Sequence, residues 1–144
     1  MTITQAMVLA AGLGTRMRPL THMVPKPLLR VNDKALLDWA LDALELAGIQ
    51  HTAVNTHHLG QQVENHVKGR SGVTCIAEDP VLETGGGVKN ALDQGLLSGA
   101  PAFVINADNL WTGTDQPALA RLDQAWNDNP MDGLLLLQPL ATAT

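Results

Sequence analysis

The sequence predicts a Rossmann-like α/β fold, in which a mostly parallel sheet is covered by helices on both faces. Short continuous apolar runs, which are typical of buried parallel strands, alternate along the chain with segments of helical periodicity. A glycine-rich turn at Gly12 and Gly14 directly follows the first apolar run. Because sheets of this class bind ligands at the carboxyl ends of their strands, we expect the functional site at that edge.

The first predicted elements are a strand and a long amphipathic helix. Residues 5–11 form a continuous apolar run that predicts a buried strand. Asn32 and Asp33 are predicted to cap a helix over residues 34–47, and Gly48 is predicted to end it. The apolar stripe of this helix is formed by Leu36, Leu37, Ala40, Leu41, Leu44 and Ala47.

The remaining elements continue the alternation of strands and helices. Further strands are predicted over residues 52–55, 73–77, 101–106 and 133–138, and helices over residues 59–67, 86–97 and 116–127. Pro117 stands at the predicted start of the last helix. The chain stops just after the fifth predicted strand, so we expect residues 1–144 to be one domain whose C-terminal part is missing.

Composition restricts the classes of protein to which the chain can belong. Its 144 residues suffice for one domain, and 45% apolar with 16% charged content is typical of a globular chain. A formal net charge of −5, with three Trp, one Phe and no Tyr, argues against nucleic-acid binding. The apolar runs are too short for a membrane span, and residues 1–5 lack signal-peptide features. We therefore expect a cytoplasmic protein with neither a nucleic-acid nor a membrane partner.

Cysteine and histidine are common nucleophiles and metal ligands, but their placement indicates structural roles here. A single cysteine, Cys75, excludes an internal disulfide and any zinc site built from several cysteines. It lies in an apolar alternation over residues 73–76, so we expect a buried core thiol. Neighbouring side chains rarely face the same way, so His57 and His58 are interpreted as loop or packing residues rather than a shared metal site.

The glycine pair after the first strand can point several backbone N–H groups at an anion. It is not the dinucleotide fingerprint, because Met17 replaces the third glycine and Asn55 replaces the acidic residue expected after the second strand. It is not a Walker loop either, because no Gly-Lys-Ser/Thr follows. From these residues alone, a ligand cradle and a tight turn without a ligand are equally good interpretations.

Positive charge beside the glycines favours the cradle. Arg16, Arg18, Lys26 and Arg30 account for four of the nine Lys and Arg residues. Arg16 can fork onto phosphate oxygens, and Lys26 is held between two prolines that stiffen its backbone. This combination suits a triphosphate, which needs fixed cations and backbone donors. Arg18 and Arg30 are interpreted as solvated bystanders.

The segment "LAAGLGTRMRPLT", followed by "PKPLL", resembles the signature of the sugar-1-phosphate nucleotidyltransferases, or NDP-sugar pyrophosphorylases: L-A-A-G-x-G-T-R-x-x-P-x-T…P-K-P. Members transfer a nucleotidyl group from a nucleoside triphosphate to a sugar 1-phosphate and release pyrophosphate. "VNTHHLG", "ETGGGVKNAL" and "INADNLW" look most like the branch with N-acetylmuramate 1-phosphate uridylyltransferase and mannose 1-phosphate guanylyltransferase-like proteins.

The resemblance implies roles for individual residues. Arg16 would bind the departing β,γ-phosphates, and Lys26 would neutralise charge around the α-phosphate, so both are predicted to be catalytic. The implied nucleotide-binding set comprises Ala10, Ala11, Gly12, Gly14, Thr15, Glu83, Gly85 and Gly86. Three consecutive glycines from Gly85 are costly to order, which we interpret as a sign of close ligand approach.

Asp108 follows the fourth predicted strand, at the edge where the glycine loop also lies. A carboxylate there can ligate Mg²⁺ or cap a turn, and the resemblance favours the metal. Ala107 departs from the glycine more often seen before this aspartate. The resemblance also implies a second metal-binding aspartate far downstream. The chain ends before that position, so we expect it to hold the nucleotide half of the site.

The leading hypothesis is a magnesium-dependent sugar-1-phosphate nucleotidyltransferase that uses UTP or GTP. If the acceptor is N-acetylmuramate 1-phosphate, the product is UDP-N-acetylmuramate and the role is cell-wall recycling. The first alternative is a nucleotide-binding module without catalysis. The second is a cytidylyltransferase that acts on an alcohol phosphate, although the full T-R-x-x-P-x-T…P-K-P pattern counts against it.

Overall fold

A computed structural model of the chain describes residues 3–111 and 117–137. The strands are β1 Gln5–Leu9, β2 Arg30–Val31, β3 Lys34–Ala35, β4 His51–Thr56, β5 Val73–Ala77 and β6 Phe103–Asn106. The helices are α1 Leu36–Leu46, α2 Gly60–Val67, α3 Glu83–Asp93 and α4 Ala118–Ala125. Three short 3₁₀ turns, Thr15–Met17, Leu20–His22 and Lys26–Leu28, connect β1 to β2.

Four strands form a parallel sheet in the order β5-β4-β1-β6. Its register places Leu9 opposite both Asn55 and Asn106, so β1, β4 and β6 end at the same edge. β2 and β3 form a separate antiparallel hairpin. The predicted parallel α/β architecture is confirmed, and the segments that follow β1, β4 and β6 meet at one edge of the sheet.

Helices cover both faces of the sheet, as predicted. Side chains alternate along each strand, so Val8 and Val54 face one side while Met7 and Ala53 face the other. On the first side the sheet packs against α1, α2 and α4, through buried side chains that include Leu37, Leu41, Leu44, Val63, Val67 and Leu119. On the second side, Met7 and Ala53 pack with Ala91 of α3 and with Leu97. Within the described residues, none of the helices is long and apolar enough to cross a bilayer.

The prediction that Asn32 and Asp33 cap the first helix is wrong. Both residues have positive φ, 53° and 60°, and they form the two-residue turn between β2 and β3. Asn and Asp tolerate this left-handed conformation better than other side chains, which suits them to such a turn. Ala35 instead occupies the N-cap position of α1, without a side-chain hydrogen bond.

Several predicted boundaries differ from the structure, and one predicted strand is not observed. Helix α3 begins at Glu83 rather than at residue 86, so the three glycines lie inside its first turns. No strand is present over residues 133–137, and position 138 of that prediction lies outside the described residues. A strand needs a hydrogen-bonded neighbour, and β6 has only β1 as a partner within the part that the structure describes.

Candidate active site

A cavity of about 230 Å³ lies at the carboxyl ends of β1, β4 and β6. Its wall includes Ala10, Ala11 and Gly12, which follow β1, and Asn55 at the end of β4. The strands end together here because their register is aligned, so these loops are brought to one place by the sheet. The structure therefore has a cavity at the edge where the sequence predicted the site.

The two glycines of the first loop have different surroundings. Gly14 has a φ of 62°, and a Cβ there would lie 2.8 Å from Cγ2 of Thr21 and 3.2 Å from Cβ of Lys26. The Thr21 hydroxyl donates a hydrogen bond to the carbonyl of Gly14 at 2.7 Å. A Cβ on Gly12 would meet no atom within 4 Å. Gly14 is thus required by the turn itself, whereas Gly12 borders open space in the cavity.

Lys26 and Asp108 meet at the cavity although 82 positions separate them in the chain. Lys26 begins the turn Lys26–Leu28, and buried prolines on both sides hold its backbone. Asp108 follows β6, whose pairing with β1 brings it to the same edge. The Lys26 ammonium and the Asp108 carboxylate form an ion pair, with side chains 28% and 33% exposed. The structure thus places the predicted catalytic cation beside the predicted metal ligand.

The structure does not bring every predicted site residue to the cavity. Thr15 and Arg16 are exposed on the turn Thr15–Met17 and lie outside the cavity wall. Glu83 lines the cavity, and its backbone has a φ of 60°. A non-glycine residue in this strained conformation at a cavity is an observation that points to a functional position. Thr84, which the sequence interpretation did not select, also lines the cavity.

The glycine triplet of α3 contacts protein atoms. A Cβ on Gly86 would lie 2.9 Å from Cβ of Leu82. A Cβ on Gly87 would lie 2.9 Å from both Nδ2 of Asn55 and Oε1 of Glu78, whereas Gly85 faces open space. Neither Gly85 nor Gly86 is part of the cavity wall. The close approach at Gly87 is therefore explained by packing of α3 on Asn55 and Glu78, and the one at Gly86 by Leu82, the residue that precedes the helix.

Asn55 and Glu78 form a buried polar pair in the cavity wall that the sequence interpretation missed. Their exposed fractions are 3% and 4%. Asn55 accepts a hydrogen bond from the Ala10 N–H at 2.6 Å and donates one to Oε1 of Glu78 at 2.9 Å. Oε2 of Glu78 accepts from the Leu82 N–H at 3.0 Å. The sequence contained one indication of this pair, namely that polar residues lie where two neighbouring strands end. Asn55 is close to the end of β4, and Glu78 directly follows β5.

The two neighbouring histidines have structural partners, as predicted. His57 donates from Nδ1 to the carbonyl of Glu78 at 2.7 Å, and His58 donates from Nε2 to the carbonyl of Thr21 at 2.8 Å. A carbonyl can only accept, so the donor in each pair is the ring nitrogen. The two rings thus tie different loops to the end of β4.

Cys75 is half-buried rather than fully buried, and it packs against the main core. Burial, with a smaller contribution from the negative charge of Glu64, raises the pKa of its thiol to about 11. Because the thiolate is the reactive form, this thiol is inert near neutral pH. The interpretation of Cys75 as a structural residue fits this environment.

The donor set at Asp108 fits a magnesium ion that is bound together with a nucleotide. Mg²⁺ in such sites is held by one or two carboxylates and by substrate phosphates, and it keeps several waters. Asp108 supplies one partly exposed carboxylate in the cavity wall. Across residues 3–111 and 117–137, no group of three or more His, Cys, Asp and Glu side chains could hold a metal ion by itself.

Comparisons with known proteins agree with this fold. A family model described as the MobA-like NTP transferase domain matches residues 6–135. The chain is 44% identical over 139 residues to N-acetylmuramate alpha-1-phosphate uridylyltransferase of Caulobacter vibrioides, covering 92% of this chain and 57% of the relative. It is 46% identical over 111 residues to the protein of the same name from Neisseria meningitidis, covering 74% and 47%. The chain thus spans about half the length of these curated relatives.

Solved structures give the same result. A UDP-glucose pyrophosphorylase complexed with UDP-glucose matches with a TM-score of 0.69 and 25% identity, covering 86% of this chain and 54% of that one. The CTP:phosphocholine cytidylyltransferase of Streptococcus pneumoniae matches with a TM-score of 0.63 and 32% identity, covering 78% and 48%. Both similarities include most of this chain and about half of the other.

Proposed function

Because the chain belongs to the MobA-like NTP transferase family, we propose that it is the N-terminal, nucleotide-binding portion of a sugar-1-phosphate nucleotidyltransferase. In the proposed reaction, a phosphate oxygen of the sugar 1-phosphate attacks the α-phosphorus of a nucleoside triphosphate. The bond from the α-phosphorus to the bridging oxygen of the β-phosphate breaks, and pyrophosphate leaves. The observation that carries this proposal is the meeting of Lys26 and Asp108 at the cavity.

The chemistry requires charge neutralisation and alignment more than proton transfer. The attacking sugar phosphate is already an anion at neutral pH, so the reaction needs no general base. Repulsion between this anion and the triphosphate is the main obstacle, and fixed cations with backbone donors reduce it. We assign the α-phosphate to Lys26, whose backbone is restrained by a proline on either side.

Further contacts to the nucleotide are proposed from the cavity wall. The backbone of Ala11 and Gly12, together with Glu83 and Thr84, borders the space that the nucleoside would occupy. The Ala10 N–H already donates a hydrogen bond to Asn55, so Ala10 would border the nucleotide without donating that N–H to it. Arg16 is assigned to the β,γ-phosphates, which would then extend out of the cavity toward the turn Thr15–Met17.

Magnesium is the proposed cofactor, and Asp108 is the residue that would hold it. The ion supplies additional positive charge at the phosphates when it is bound. The ion pair with Lys26 keeps the Asp108 side chain at the cavity wall, beside the phosphate position assigned to Lys26. A single carboxylate suits a metal that enters with the triphosphate rather than ahead of it.

We propose UTP as the donor and N-acetylmuramate 1-phosphate as the acceptor, which gives UDP-N-acetylmuramate. The support is the 44% and 46% identity to two uridylyltransferases named for that substrate. GTP remains a second donor candidate, because a mannose-1-phosphate guanylyltransferase 1 of Arabidopsis thaliana is 33% identical over 110 residues. A cytoplasmic location and a role in cell-wall recycling follow from the first assignment and are proposed with it.

A cytidylyltransferase acting on an alcohol phosphate is the second candidate function. The observation that favours it is 34% identity over 105 residues to choline-phosphate cytidylyltransferase of Streptococcus pneumoniae. The lower identity and the shorter matched length rank it below the sugar-phosphate reaction. A nucleotide-binding module without catalysis is the third, and it differs from both in releasing no pyrophosphate.

Pyrophosphate release tests these alternatives directly. The protein is incubated with Mg²⁺ and each of UTP, GTP and CTP, paired in turn with N-acetylmuramate 1-phosphate, mannose 1-phosphate, glucose 1-phosphate and phosphocholine. Release that needs a sugar 1-phosphate supports the proposed function, and release only with CTP and phosphocholine supports the second candidate. Nucleotide binding without pyrophosphate release for any pair would support the third candidate, a nucleotide-binding module without catalysis. Absence of binding would overturn all three.

A further inference from the structure

We propose that Thr21 is a positioning residue for the cations that act on the phosphates, and that His58 acts through it. This inference rests on the proposed function. Thr21 is the last residue of the signature segment "LAAGLGTRMRPLT", and it has no part in the contacts proposed above. It is 1% exposed and lies outside the cavity wall, so its effect on the reaction must pass through its neighbours, Gly14 and Lys26.

The Thr21 hydroxyl fixes the direction of one peptide group in the glycine loop. It donates to the carbonyl of Gly14 at 2.7 Å, and the same carbonyl accepts from the Met17 N–H at 2.9 Å. Both lone pairs of this oxygen are therefore engaged. Because the peptide group is planar, the N–H of Thr15 on its other side has a fixed direction too. The short turn that carries Arg16 thus begins from a peptide group that Thr21 holds.

The Thr21 side chain also lies where the glycine loop meets the stem of Lys26. A Cβ on Gly14 would lie 2.8 Å from Cγ2 of Thr21 and 3.2 Å from Cβ of Lys26, so the three residues meet at one point. Gly14 contributes no side chain there, which leaves the space to the other two. A single buried side chain therefore borders both the loop of the cation assigned to the β,γ-phosphates and the stem of the cation assigned to the α-phosphate.

His58 holds Thr21 from the side of the sheet. Its Nε2 donates to the Thr21 carbonyl at 2.8 Å, and it lies in the segment between β4 and α2. Gln62 of α2, which is exposed, donates from Nε2 to the carbonyl of Met23 at 3.0 Å. The loop that follows β1 is therefore tied in its middle to the segment that follows β4, and β4 pairs with β1.

This anchoring matters because the proposed reaction depends on alignment. A displacement of about 1 Å in a group that positions reactants can cost a factor of about 100 in rate, even when the change lies outside the reacting atoms. Arg16 and Lys26 would act on neighbouring phosphates, so their spacing has to match that of the triphosphate. Release of the loop from Thr21 is expected to lower turnover and affinity for the β,γ-phosphates.

Four substitutions separate the hydrogen bonds from the bulk of the side chains. Thr21→Val keeps the shape of the residue but cannot donate, and its extra methyl group cannot approach the Gly14 carbonyl as closely as the hydroxyl does. Thr21→Ser keeps the donor. His58→Phe removes the second donor, whereas His58→Gln places an amide N–H near the position of Nε2. The matched controls are Thr52→Val, at a buried threonine near the amino end of β4, and His51→Phe, at the exposed first residue of that strand.

Two measurements distinguish positioning from stability. The first is kcat for pyrophosphate release with Mg²⁺, UTP and N-acetylmuramate 1-phosphate. The second is the ratio of the dissociation constants of UMP and UTP by titration calorimetry, which reports on the β,γ-phosphates. Thr21→Val and His58→Phe are expected to lower both by about 10-fold or more. Thr21→Ser and His58→Gln are expected to stay within about 3-fold of wild type, and the controls are expected to leave both unchanged.

Each contrary result has a distinct meaning. If Thr21→Val changes neither kcat nor the ratio, whatever its thermal stability relative to Thr52→Val, Thr21 is structural only and the inference is wrong. It is also wrong if Thr21→Ser is impaired as strongly as Thr21→Val, because the hydroxyl is then not the positioning group. A wild type that binds UTP without pyrophosphate release contradicts the proposed reaction, and the ratio then tests Thr21 by itself. A wild type that does not prefer UTP to UMP overturns the inference, since the loop then presents no cation to the β,γ-phosphates.

Discussion

Gln5 and Asn55 are both buried amides, but they lie at opposite edges of the same sheet and have different partners. Gln5 begins β1. Its amide oxygen accepts a hydrogen bond from the N–H of Ser98 at 2.9 Å, and its amide nitrogen donates one to the carbonyl of Ala100 at 2.7 Å. All of these partners belong to one loop, and all are neutral. Asn55 is the last but one residue of β4, and its network includes the Glu78 carboxylate and borders the cavity.

If the proposed function is correct, the two edges of the sheet differ in their roles, one in stability and the other in ligand binding. At the amino edge, the buried amide of Gln5 finds its partners in the backbone of Ser98 and Ala100, and these bonds hold the loop against β1. At the carboxyl edge, hydrogen-bonded and charged groups are held at a cavity, where the ion pair of Lys26 and Asp108 remains partly exposed. We therefore expect changes at the amino edge to alter stability, and changes to the charged groups that line the cavity at the carboxyl edge to alter binding or turnover.

The largest expected effect is on turnover at the carboxyl edge. Lys26→Ala is expected to lower the rate of pyrophosphate release by about 100-fold or more, because it removes a fixed charge at the phosphates. Arg18→Ala is the control, since this arginine is exposed on the loop outside the cavity wall. Steady-state kinetics of both variants provide the measurement. Equal losses in the two variants would contradict the roles assigned here.

The second effect concerns stability at the amino edge. Gln5→Leu is expected to destabilise the fold by about 2 kcal/mol, because the hydrogen bonds that hold Ser98 and Ala100 against β1 are lost. Urea unfolding measures the change, and calorimetry with UTP is expected to give an unchanged dissociation constant. A clear loss of UTP affinity in the folded variant would show that the two edges are not separate.

The third effect compares the two glycines within the carboxyl edge. Gly14→Ala is expected to destabilise the fold by about 1–2 kcal/mol, since its φ is positive and a Cβ would crowd Thr21. Gly12→Ala is expected to leave stability within about 0.5 kcal/mol, because open space surrounds that position. Thermal unfolding of both variants tests the contrast. Similar losses in the two would show that the loop is more tightly packed at Gly12 than the structure indicates.

The smallest effect lies on the surface, away from both edges. Burial opposes ionisation of Asp42, but hydrogen bonds from Lys34 and Arg70 outweigh it and hold the pKa of that carboxyl below its ordinary value. This stabilisation is present above the unfolded-state pKa and is lost as the pH falls through the lowered one. Asp42→Asn should therefore reduce the free energy of unfolding at pH 7 by a few tenths of a kcal/mol. It should also make the loss of stability between pH 7 and pH 3 smaller than in the wild type. Unfolding curves at pH 3 and pH 7 measure both changes, and identical differences at the two pH values would be inconsistent with this origin.

Patterns that depend on neighbouring residues in the chain could be predicted from the sequence. β5 was predicted with its observed limits, Val73–Ala77, because a short apolar run there stands between turn residues. The order of the four parallel strands and the four helices was predicted for the same reason, whereas the β2–β3 hairpin was not predicted. Asn32 and Asp33 were misjudged because both helix caps and two-residue turns favour these side chains. Only the pairing of β2 with β3 shows that these residues form a turn rather than a helix cap.

Contacts between distant segments could not be predicted in the same way. Arg16 and Lys26 are predicted to be the triphosphate cations because they lie close to the glycines in the chain. Asn55 and Glu78 were missed because their role depends on the register of β4 against β1 and on the path of the chain after β5. The glycines of α3 were attributed to a ligand for a related reason, since the packing of Gly87 on that pair is visible only in three dimensions.

The central position of β1 also has a consequence during synthesis on the ribosome. β1 pairs with β4 on one side and with β6 on the other, and the register joins Ala6 to Phe103. The strand therefore emerges long before its second partner has been translated, and one side of an apolar segment stays open for most of that time. Such delayed long-range pairing slows folding and favours aggregation. We expect the nascent chain to depend on chaperones until Phe103–Asn106 has left the exit tunnel.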